Sequence, residues 1–205
     1  GESILNFGDL SMLSFHATKV FNTIEGGALI TNDPELKQRI DYLKNFGFAN
    51  ETSIIAPGIN GKMNEVQAAY GLLQLEHIGG EIHKRWQLTH AYRNGLSGIP
   101  GLRLLDDVLG VTHNYSYLPV FVDQQEYGIT RDDLCAHLRT RGIWARRYFY
   151  PLVSDFVASL QPGRSTAQLF EFAPMLAGQV LCLPLYSQLD LTSVERVLQA
   201  LTDRP

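Results

Sequence analysis

A helical pattern of apolar residues between positions 63 and 99 is the feature that most constrains how this chain can fold. Residues at spacings of three and four share one face of such a helix, and here they are Val66, Ala69, Tyr70, Leu73 and His77. Gly79 and Gly80 interrupt the pattern, so we expect a kink or break at this pair. The sequence therefore predicts two domains, residues 1–80 and residues 81–205.

Short apolar runs predict strands in the first domain. Residues 10–15 (LSMLSF) indicate a buried strand that runs into a loop, and residues 25–33 (EGGALITND) indicate a second strand. Asn32 or Asp33 can cap a helix that begins at Pro34, and a glycine at position 47 favours its end.

The second domain alternates strand and helix patterns. In chain order we expect a strand at 115–123, a helix at 130–142, a strand at 143–150, a loop-rich segment at 151–178, a strand at 179–189 and a helix at 190–204. Thr130 and Asp133 have the spacing of a capping box. This order predicts an α/β fold class.

Composition excludes several classes of function. A net charge of −4 and a pI near 5.8 argue against a nucleic-acid partner. No apolar run approaches the length of a membrane span, about 20 residues. Cys135 and Cys182 have no metal-ligand spacing, so we expect two buried thiols, no metal and a cytoplasmic protein.

Residues 14–20 (SFHATKV) carry the candidate chemistry. A lysine attacks an aldehyde only when its amine is neutral, and the end of a buried strand favours that state for Lys19. Ser14 and Thr18 supply hydroxyls that suit a phosphate, and His16 adds a ring that can stack or donate. The alternative is that Lys19 lies at the edge of the core and the hydroxyls only end the strand.

Several motifs together resemble a known family. The segments GDLSMLSFHATKVFNTIEGGALITND, PGINGKMNEVQAAYGLLQLEHI, YRNGLSGIPGL, YFYPL and LPLY are similar to those of the DegT/DnrJ/EryC1/StrS sugar aminotransferases. These are pyridoxal 5'-phosphate enzymes of fold type I, and the resemblance covers nearly the whole chain. It implies that the chain is the C-terminal part of that fold, with the end of the large-domain sheet in residues 1–80 and the small α/β domain in residues 81–205.

The resemblance implies roles for individual residues. Lys19 would bond to the cofactor aldehyde, Ser14 would bind the cofactor phosphate, and Asn60 would reach the cofactor phosphate of the other subunit. His16 would support the cofactor site, and Lys62, where the family usually has Arg, would bind substrate phosphate.

Further residues fit the family less fully. Arg146 and Arg147 could meet a phosphate or carboxylate, and as alternating strand residues at most one of them would face the site. Glu25 matches the E-G-G motif as a structural anion, and Gly26 and Gly27 would allow close backbone approach. Val153 stands where many members carry His, and this variant resembles the branch that acts on dTDP-4-keto-6-deoxyhexoses.

The implied function is transamination of a nucleotide-linked keto-deoxysugar, with glutamate as amino donor, for cell-surface polysaccharide such as lipopolysaccharide. The lysine at position 19 argues against the family's sugar dehydratases, which carry His there. The family's carboxylate for the pyridine nitrogen, its ring-stacking aromatic and its phosphate loop all precede the lysine strand. We therefore expect this chain alone to have little or no activity.

Two other functions stay open at this point. The chain could be a non-catalytic dimerisation module derived from the same fold, or a protein that holds a sugar nucleotide without chemistry. Under any of these we expect self-association, as a homodimer or a larger assembly, because sheet edges and an apolar face would otherwise be uncovered.

Overall fold

The computed structural model describes residues 1–160 and 172–203. The chain separates into two compact units, Gly1–Glu81 and Ile82–Pro205. The first unit contains a two-stranded sheet and the second a three-stranded sheet, and helices accompany both. The architecture is therefore mixed α and β, as the sequence predicted.

The first unit contains two antiparallel strands, β1 (Ser11–Ser14) and β2 (Gly27–Ile30). Ser14 lies opposite Gly27 at the end of the pair. Both strands were expected, but β1 is not buried: it alternates half-buried and exposed residues, and Met12 is 78% exposed. The run of apolar letters could not reveal this, because it does not show what covers each face.

Gly27 is required where β2 meets β1. A Cβ atom at this position would lie 2.7 Å from the Leu13 carbonyl oxygen, which is closer than side-chain carbons approach backbone oxygens. The neighbouring Gly26 has φ +153° and would place a Cβ atom 2.3 Å from the Thr23 hydroxyl oxygen. The close backbone approach predicted for the glycine pair is present at Gly27, whereas Gly26 is approached by side chains.

Helix α1 (Pro34–Lys44) begins and ends as its sequence predicts. Asp33 is the N-cap, and its carboxylate accepts hydrogen bonds from the backbone N–H groups of Glu35 and Leu36. After the last turn, Gly47 has φ +84° and its N–H donates to the Tyr42 carbonyl at 2.8 Å, which satisfies a carbonyl at the helix end.

Helix α2 (Glu65–Leu96) is continuous over 32 residues. The helix is therefore not broken at Gly79 and Gly80, and the alternative of a kink at this pair stays a prediction. Each helical glycine costs only about 1 kcal/mol relative to alanine, and a glycine still donates its backbone hydrogen bond. Burial of Leu88 and Tyr92 downstream offsets that cost.

The second unit builds its sheet and helices from the remaining chain. Its elements are β3 (Leu102–Leu104), β4 (Leu118–Val122), α3 (Gln124–Tyr127), α4 (Arg131–Thr140), α5 (Val153–Leu160), α6 (Phe172–Gln179), β5 (Val180–Leu183) and α7 (Leu191–Thr202). The strand order is β3-β4-β5, and both pairs are antiparallel. The capping box expected at the start of α4 is present, with Thr130 and Asp133 bonded reciprocally.

Two expectations for this unit are wrong. Residues 143–150 do not form a strand, because their backbone pairs with β5 only at Arg146, opposite Cys182. The loop-rich segment expected at 151–178 contains α5 and α6, while its residues 161–171 lie outside the described part of the chain. Pro174 occupies the first turn of α6, where its missing N–H is compatible with a helix.

The core of the second unit combines the sheet with α2, α4 and α7. Its buried apolar side chains include Leu88 and Tyr92 from α2, Leu138 from α4, and Leu181 from β5. Cys135 and Cys182 are free and buried, as expected, and burial raises the pKa of the Cys182 thiol to about 11.

Two buried tyrosines of this core donate hydrogen bonds to backbone carbonyls, whereas the buried Thr89 hydroxyl has no hydrogen-bond partner in the described part of the chain. The Tyr127 hydroxyl donates to the Leu201 carbonyl at 2.7 Å, and the Tyr92 hydroxyl donates to the Pro184 carbonyl at 3.1 Å. Within residues 1–160 and 172–203, no helix has the length and apolar character to cross a membrane. The same residues bring together no group of three or more His, Cys, Asp or Glu side chains able to hold a metal ion.

Candidate functional site

The loop that follows β1 carries the candidate lysine. Ser14 ends the strand, and the backbone N–H of His16 lies 3.4 Å from the Ser14 hydroxyl oxygen. The Lys19 N–H donates to the His16 carbonyl at 2.9 Å and closes a turn, and the Lys19 side chain is half-buried. The structure thus brings Ser14, His16 and Lys19 onto one short, hydrogen-bonded connection.

His16 holds this loop to the E-G-G motif. Its Nδ1 accepts a hydrogen bond from the Thr18 N–H at 3.3 Å, so the proton of the neutral ring lies on Nε2. Nε2 is 3.5 Å from a carboxylate oxygen of Glu25. Thr18 also bonds to Nδ1 through its hydroxyl, at 2.9 Å. His16 and Glu25 therefore brace the segment that carries Lys19.

A cavity of about 1050 Å³ lies beside this loop in the first unit. Ser14 and Lys62 both line it, although they are far apart in the sequence. Lys37 and Lys44 line it from α1 and pair with Asp41, and their hydrogen bonds, that of Lys37 first, lower the pKa of the Asp41 carboxyl. With three lysines and one aspartate, the cavity carries net positive charge and suits an anion.

Lys62 and Asn60 are held against the end of α1. The Lys62 ammonium donates to the Asn45 side-chain oxygen at 2.5 Å and lies 4.9 Å from the centre of the Phe46 ring. The backbone of Asn60 pairs with that of Asn45. Sequence reasoning missed Asn45, because its contacts depend on the chain returning to the helix end across a long loop.

Arg147 belongs to the second unit, where it lines a cleft of about 380 Å³. Arg146 lines the same cleft, together with Tyr148 and Tyr150. Both arginines therefore line one cleft, and the expectation that at most one of them faces the substrate site stays a prediction. Strand alternation does not apply, because the backbone pairs with β5 only at Arg146.

Sequence reasoning also missed the partner of Arg147. The Arg147 guanidinium donates to the Asp132 carboxylate at 3.0 Å. Asp132 lies in the first turn of α4, where an acidic residue is expected for its effect on the helix dipole alone. No local signal distinguishes it from the capping residue Asp133.

The side chains of the first unit fit a cofactor that combines an aldehyde with a phosphate. The Lys19 amine can bond to an aldehyde, and the Ser14 hydroxyl with the positively charged cavity can bind a phosphate. These groups are the ones that the sequence motif singled out, and Lys62 adds a cation to the same cavity wall.

Comparisons with known proteins agree with this chemistry. The dTDP-4-amino-4,6-dideoxy-D-glucose transaminase of Shigella dysenteriae is 43% identical over 201 residues, which are 98% of this chain and 54% of the relative. DesI, solved in the presence of its TDP-sugar product, superposes with a TM-score of 0.86 at 35% identity and covers 96% of this chain and 49% of DesI. The PLP form of Spr1654 from Streptococcus pneumoniae shares the fold, with a TM-score of 0.85 at 21% identity, covering 98% of this chain and 53% of Spr1654.

The chain spans about half the length of the curated relatives it matches. The model of the DegT/DnrJ/EryC1/StrS aminotransferase family matches residues 1–202. The match extends through both units and includes every residue discussed above. This chain is thus a member of the DegT/DnrJ/EryC1/StrS aminotransferase family.

Proposed function

We propose that this protein is a pyridoxal phosphate-dependent aminotransferase that acts on a nucleotide-linked keto-deoxysugar. The observation that carries the proposal is the placement of Lys19, half-buried on a braced loop that begins with the Ser14 hydroxyl. The family's aminotransferases depend on pyridoxal phosphate. A relative named as a transaminase at 43% identity supports an enzyme over a non-catalytic module.

Residues of the first unit would hold the cofactor. Lys19 is the covalent attachment point, Ser14 binds the phosphate, and His16 keeps the loop between them in place through Thr18 and Glu25. When bound, pyridoxal phosphate supplies an aldehyde for amine exchange and a ring that withdraws electrons from the substrate carbon.

With the cofactor bound, the Lys19 amine would have a second task. Its Nζ atom would take the proton from the substrate carbon and later return it, as a general base and then a general acid. The brace of His16 and Glu25 keeps the amine in reach during both transfers. We propose glutamate as the amino donor.

The proposed sugar substrate is of the dTDP-4-keto-6-deoxyhexose type, which agrees with the name of the Shigella dysenteriae relative. Its negative charges require cations, and we propose Lys62 in the first unit and Arg147 in the second as substrate-binding residues. We further propose that the aminated sugar serves cell-surface polysaccharide, such as lipopolysaccharide, and is made in the cytoplasm.

We also propose that the protein works as a homodimer, in which Asn60 reaches the cofactor phosphate of the other subunit. Exposed apolar side chains of the first unit, among them Ile59, Val66 and Leu72, support an interface on this unit.

The test is covalent trapping of the cofactor on the purified protein. Pyridoxal phosphate is added, the absorbance spectrum is recorded, and borohydride is used to fix the attachment for peptide mass analysis. We expect the phosphopyridoxyl mass on the peptide that contains Lys19, and its loss in Lys19→Ala. Lys84→Ala is the matched control, because Lys84 is also half-buried but lies in the second unit.

Labelling that persists in Lys19→Ala, with the fold intact by circular dichroism, would contradict the assignment of Lys19. Equal labelling of Lys84 and Lys19 would indicate unspecific reaction of lysines and would remove support for a cofactor site.

A further inference from the structure

One carboxylate bridges two arginines at the start of α4. An oxygen of Asp132 lies 2.9 Å from the Arg131 Nε atom and 3.0 Å from the Arg147 Nη1 atom. The two arginines differ sharply in burial: the side chain of Arg131 is 2% exposed and that of Arg147 is 41% exposed. Asp132 therefore links an arginine fixed inside the unit to one that lines the cleft.

The buried Arg131 is held by hydrogen bonds to the backbone. Its Nη1 atom donates to the carbonyls of Ala177, at 2.8 Å, and Val180, at 2.9 Å, at the junction of α6 and β5. A buried guanidinium also needs a nearby negative charge, because an unpaired charge inside a protein is costly. Asp132 supplies that charge from the next position on the helix.

Tyr150 forms the other side of this arrangement. The Arg131 guanidinium carbon lies 5.4 Å from the centre of the Tyr150 ring, and that of Arg147 lies 5.7 Å from it. A guanidinium at this distance from an aromatic face is attracted to it. Arg147 is thus contacted by a carboxylate and by an aromatic ring, and it lines the cleft.

We propose that Asp132 is a positioning residue that fixes the Arg147 guanidinium to bind the diphosphate of a nucleotide-linked sugar. This inference rests on the proposed function, in which Arg147 binds that substrate. Arg139 and Arg146 line the same cleft, so the site stays cationic although Asp132 is present. Fixing an arginine before binding lowers the side-chain entropy that is lost on binding, which is the benefit that Asp132 provides.

The direction in which anion binding changes when Asp132 is removed shows whether Asp132 positions Arg147 or acts only through its negative charge. If Asp132 acted only as a negative charge near an anion site, its removal would strengthen anion binding. If it positions Arg147, its removal weakens binding although the site becomes more positive. Asp133 provides the matched control, because it is the next residue on the same helical turn and bonds to Thr130 instead of Arg147.

The experiment measures binding of dTDP by calorimetry to the protein at its natural length, with KM and kcat for the nucleotide sugar on the same samples. We expect Arg147→Gln to weaken dTDP binding about tenfold and Asp132→Asn about fivefold, with KM raised and kcat unchanged. Asp133→Asn should stay within about twofold of the unchanged protein. In the Arg147→Gln background, Asp132→Asn should add nothing, because it acts through Arg147.

Several results would overturn the inference. Tighter dTDP binding by Asp132→Asn, an effect equal to that of Asp133→Asn, or additivity with Arg147→Gln would each do so while leaving the substrate role of Arg147 intact. No effect of Arg147→Gln would overturn both that role and the inference. If Asp132→Asn unfolds, Asp132→Glu keeps the charge that Arg131 needs and displaces the carboxylate, and it should still weaken dTDP binding.

Discussion

The two units of this chain differ in how they treat apolar residues. Every buried hydrophobic residue of the described part lies between Leu88 and Leu201, in the second unit. The first unit, all of whose residues are described, buries only Thr23, Gly47 and Gly71. It exposes large apolar side chains instead, including Met12, Leu29 and Leu72.

The second unit thus has a hydrophobic core of its own, whereas large apolar side chains of the first unit are exposed. The second unit can exclude water from its sheet without help, and that exclusion is the main source of stability in folded domains. The candidate cofactor residues of the first unit lie on a backbone turn that is held by polar contacts, such as those of His16 with Thr18 and Glu25. Local hydrogen bonds define its loop, while little hydrophobic burial supports it.

The largest expected contrast is between two leucines. Leu138→Ala removes a side chain that is 0% exposed in the second unit and should lower the free energy of unfolding by about 3 kcal/mol. Leu72→Ala, at a residue 66% exposed on α2, should change it by less than about 0.5 kcal/mol at protein concentrations low enough to keep the chain monomeric. Urea unfolding of this chain measures both changes.

A large cost for Leu72→Ala would show that a second copy already covers the first unit. Repeating the pair at several protein concentrations distinguishes that case, because stability gained from association depends on concentration.

A smaller contrast comes from two glycines. Gly27→Ala places a Cβ atom 2.7 Å from the Leu13 carbonyl oxygen and should weaken the β1-β2 pair by about 2 kcal/mol. Gly79→Ala meets nothing within 4 Å inside α2 and should stabilise the helix by up to about 1 kcal/mol. Amide hydrogen exchange distinguishes the effects of the two substitutions, because faster exchange in β1 and β2 is expected for Gly27→Ala only.

If Gly27→Ala instead accelerated exchange in β4 and β5 equally, the two units would unfold as one body. The contrast between them would then describe burial but not stability.

The smallest expected effect depends on pH. Hydrogen bonds from Arg93, first, and from the Tyr115 hydroxyl lower the pKa of the Asp107 carboxyl in the second unit to about 2. A lowered pKa stabilises the folded state at neutral pH, and this contribution is lost as the pH falls from about 4 to 2. The side chain is 33% exposed and partly screened, so we expect about 1 kcal/mol.

Acid titration of stability checks this effect. Asp107→Asn should flatten the profile between about pH 4 and 2, whereas Asp41→Asn in the first unit should change it less, because the partners of Asp41 are exposed lysines. Identical profiles for Asp107→Asn and the unchanged protein would contradict the prediction.

Sequence alone predicted the features that depend on neighbouring residues. The Asp33 cap and the capping box of Thr130 and Asp133 were predictable because both ends of each contact lie within one helical turn. The family motif around Lys19 was also visible. A membership that extends over residues 1–202 confirms the resemblance, whereas the roles of the site residues stay predictions.

Features set by distant contacts were missed. The expected strand at 143–150 pairs with β5 only at Arg146, opposite Cys182, although β5 continues on both sides of that position. The expected break at Gly79 and Gly80 did not occur, since backbone hydrogen bonds outweigh a local preference. The ion pair between Asp132 and Arg147 depends on the chain folding back to α4, and the spacing of residues in the sequence does not indicate this.

The burial of Cys182 gives this protein a built-in reporter. Its thiol is buried in β5, and a pKa of about 11 leaves it protonated and unreactive at neutral pH. An alkylating reagent can therefore modify it only while the strand is detached from its neighbours. The rate of alkylation at Cys182, measured by mass spectrometry, therefore reports how often this sheet opens transiently, and no engineered label is needed.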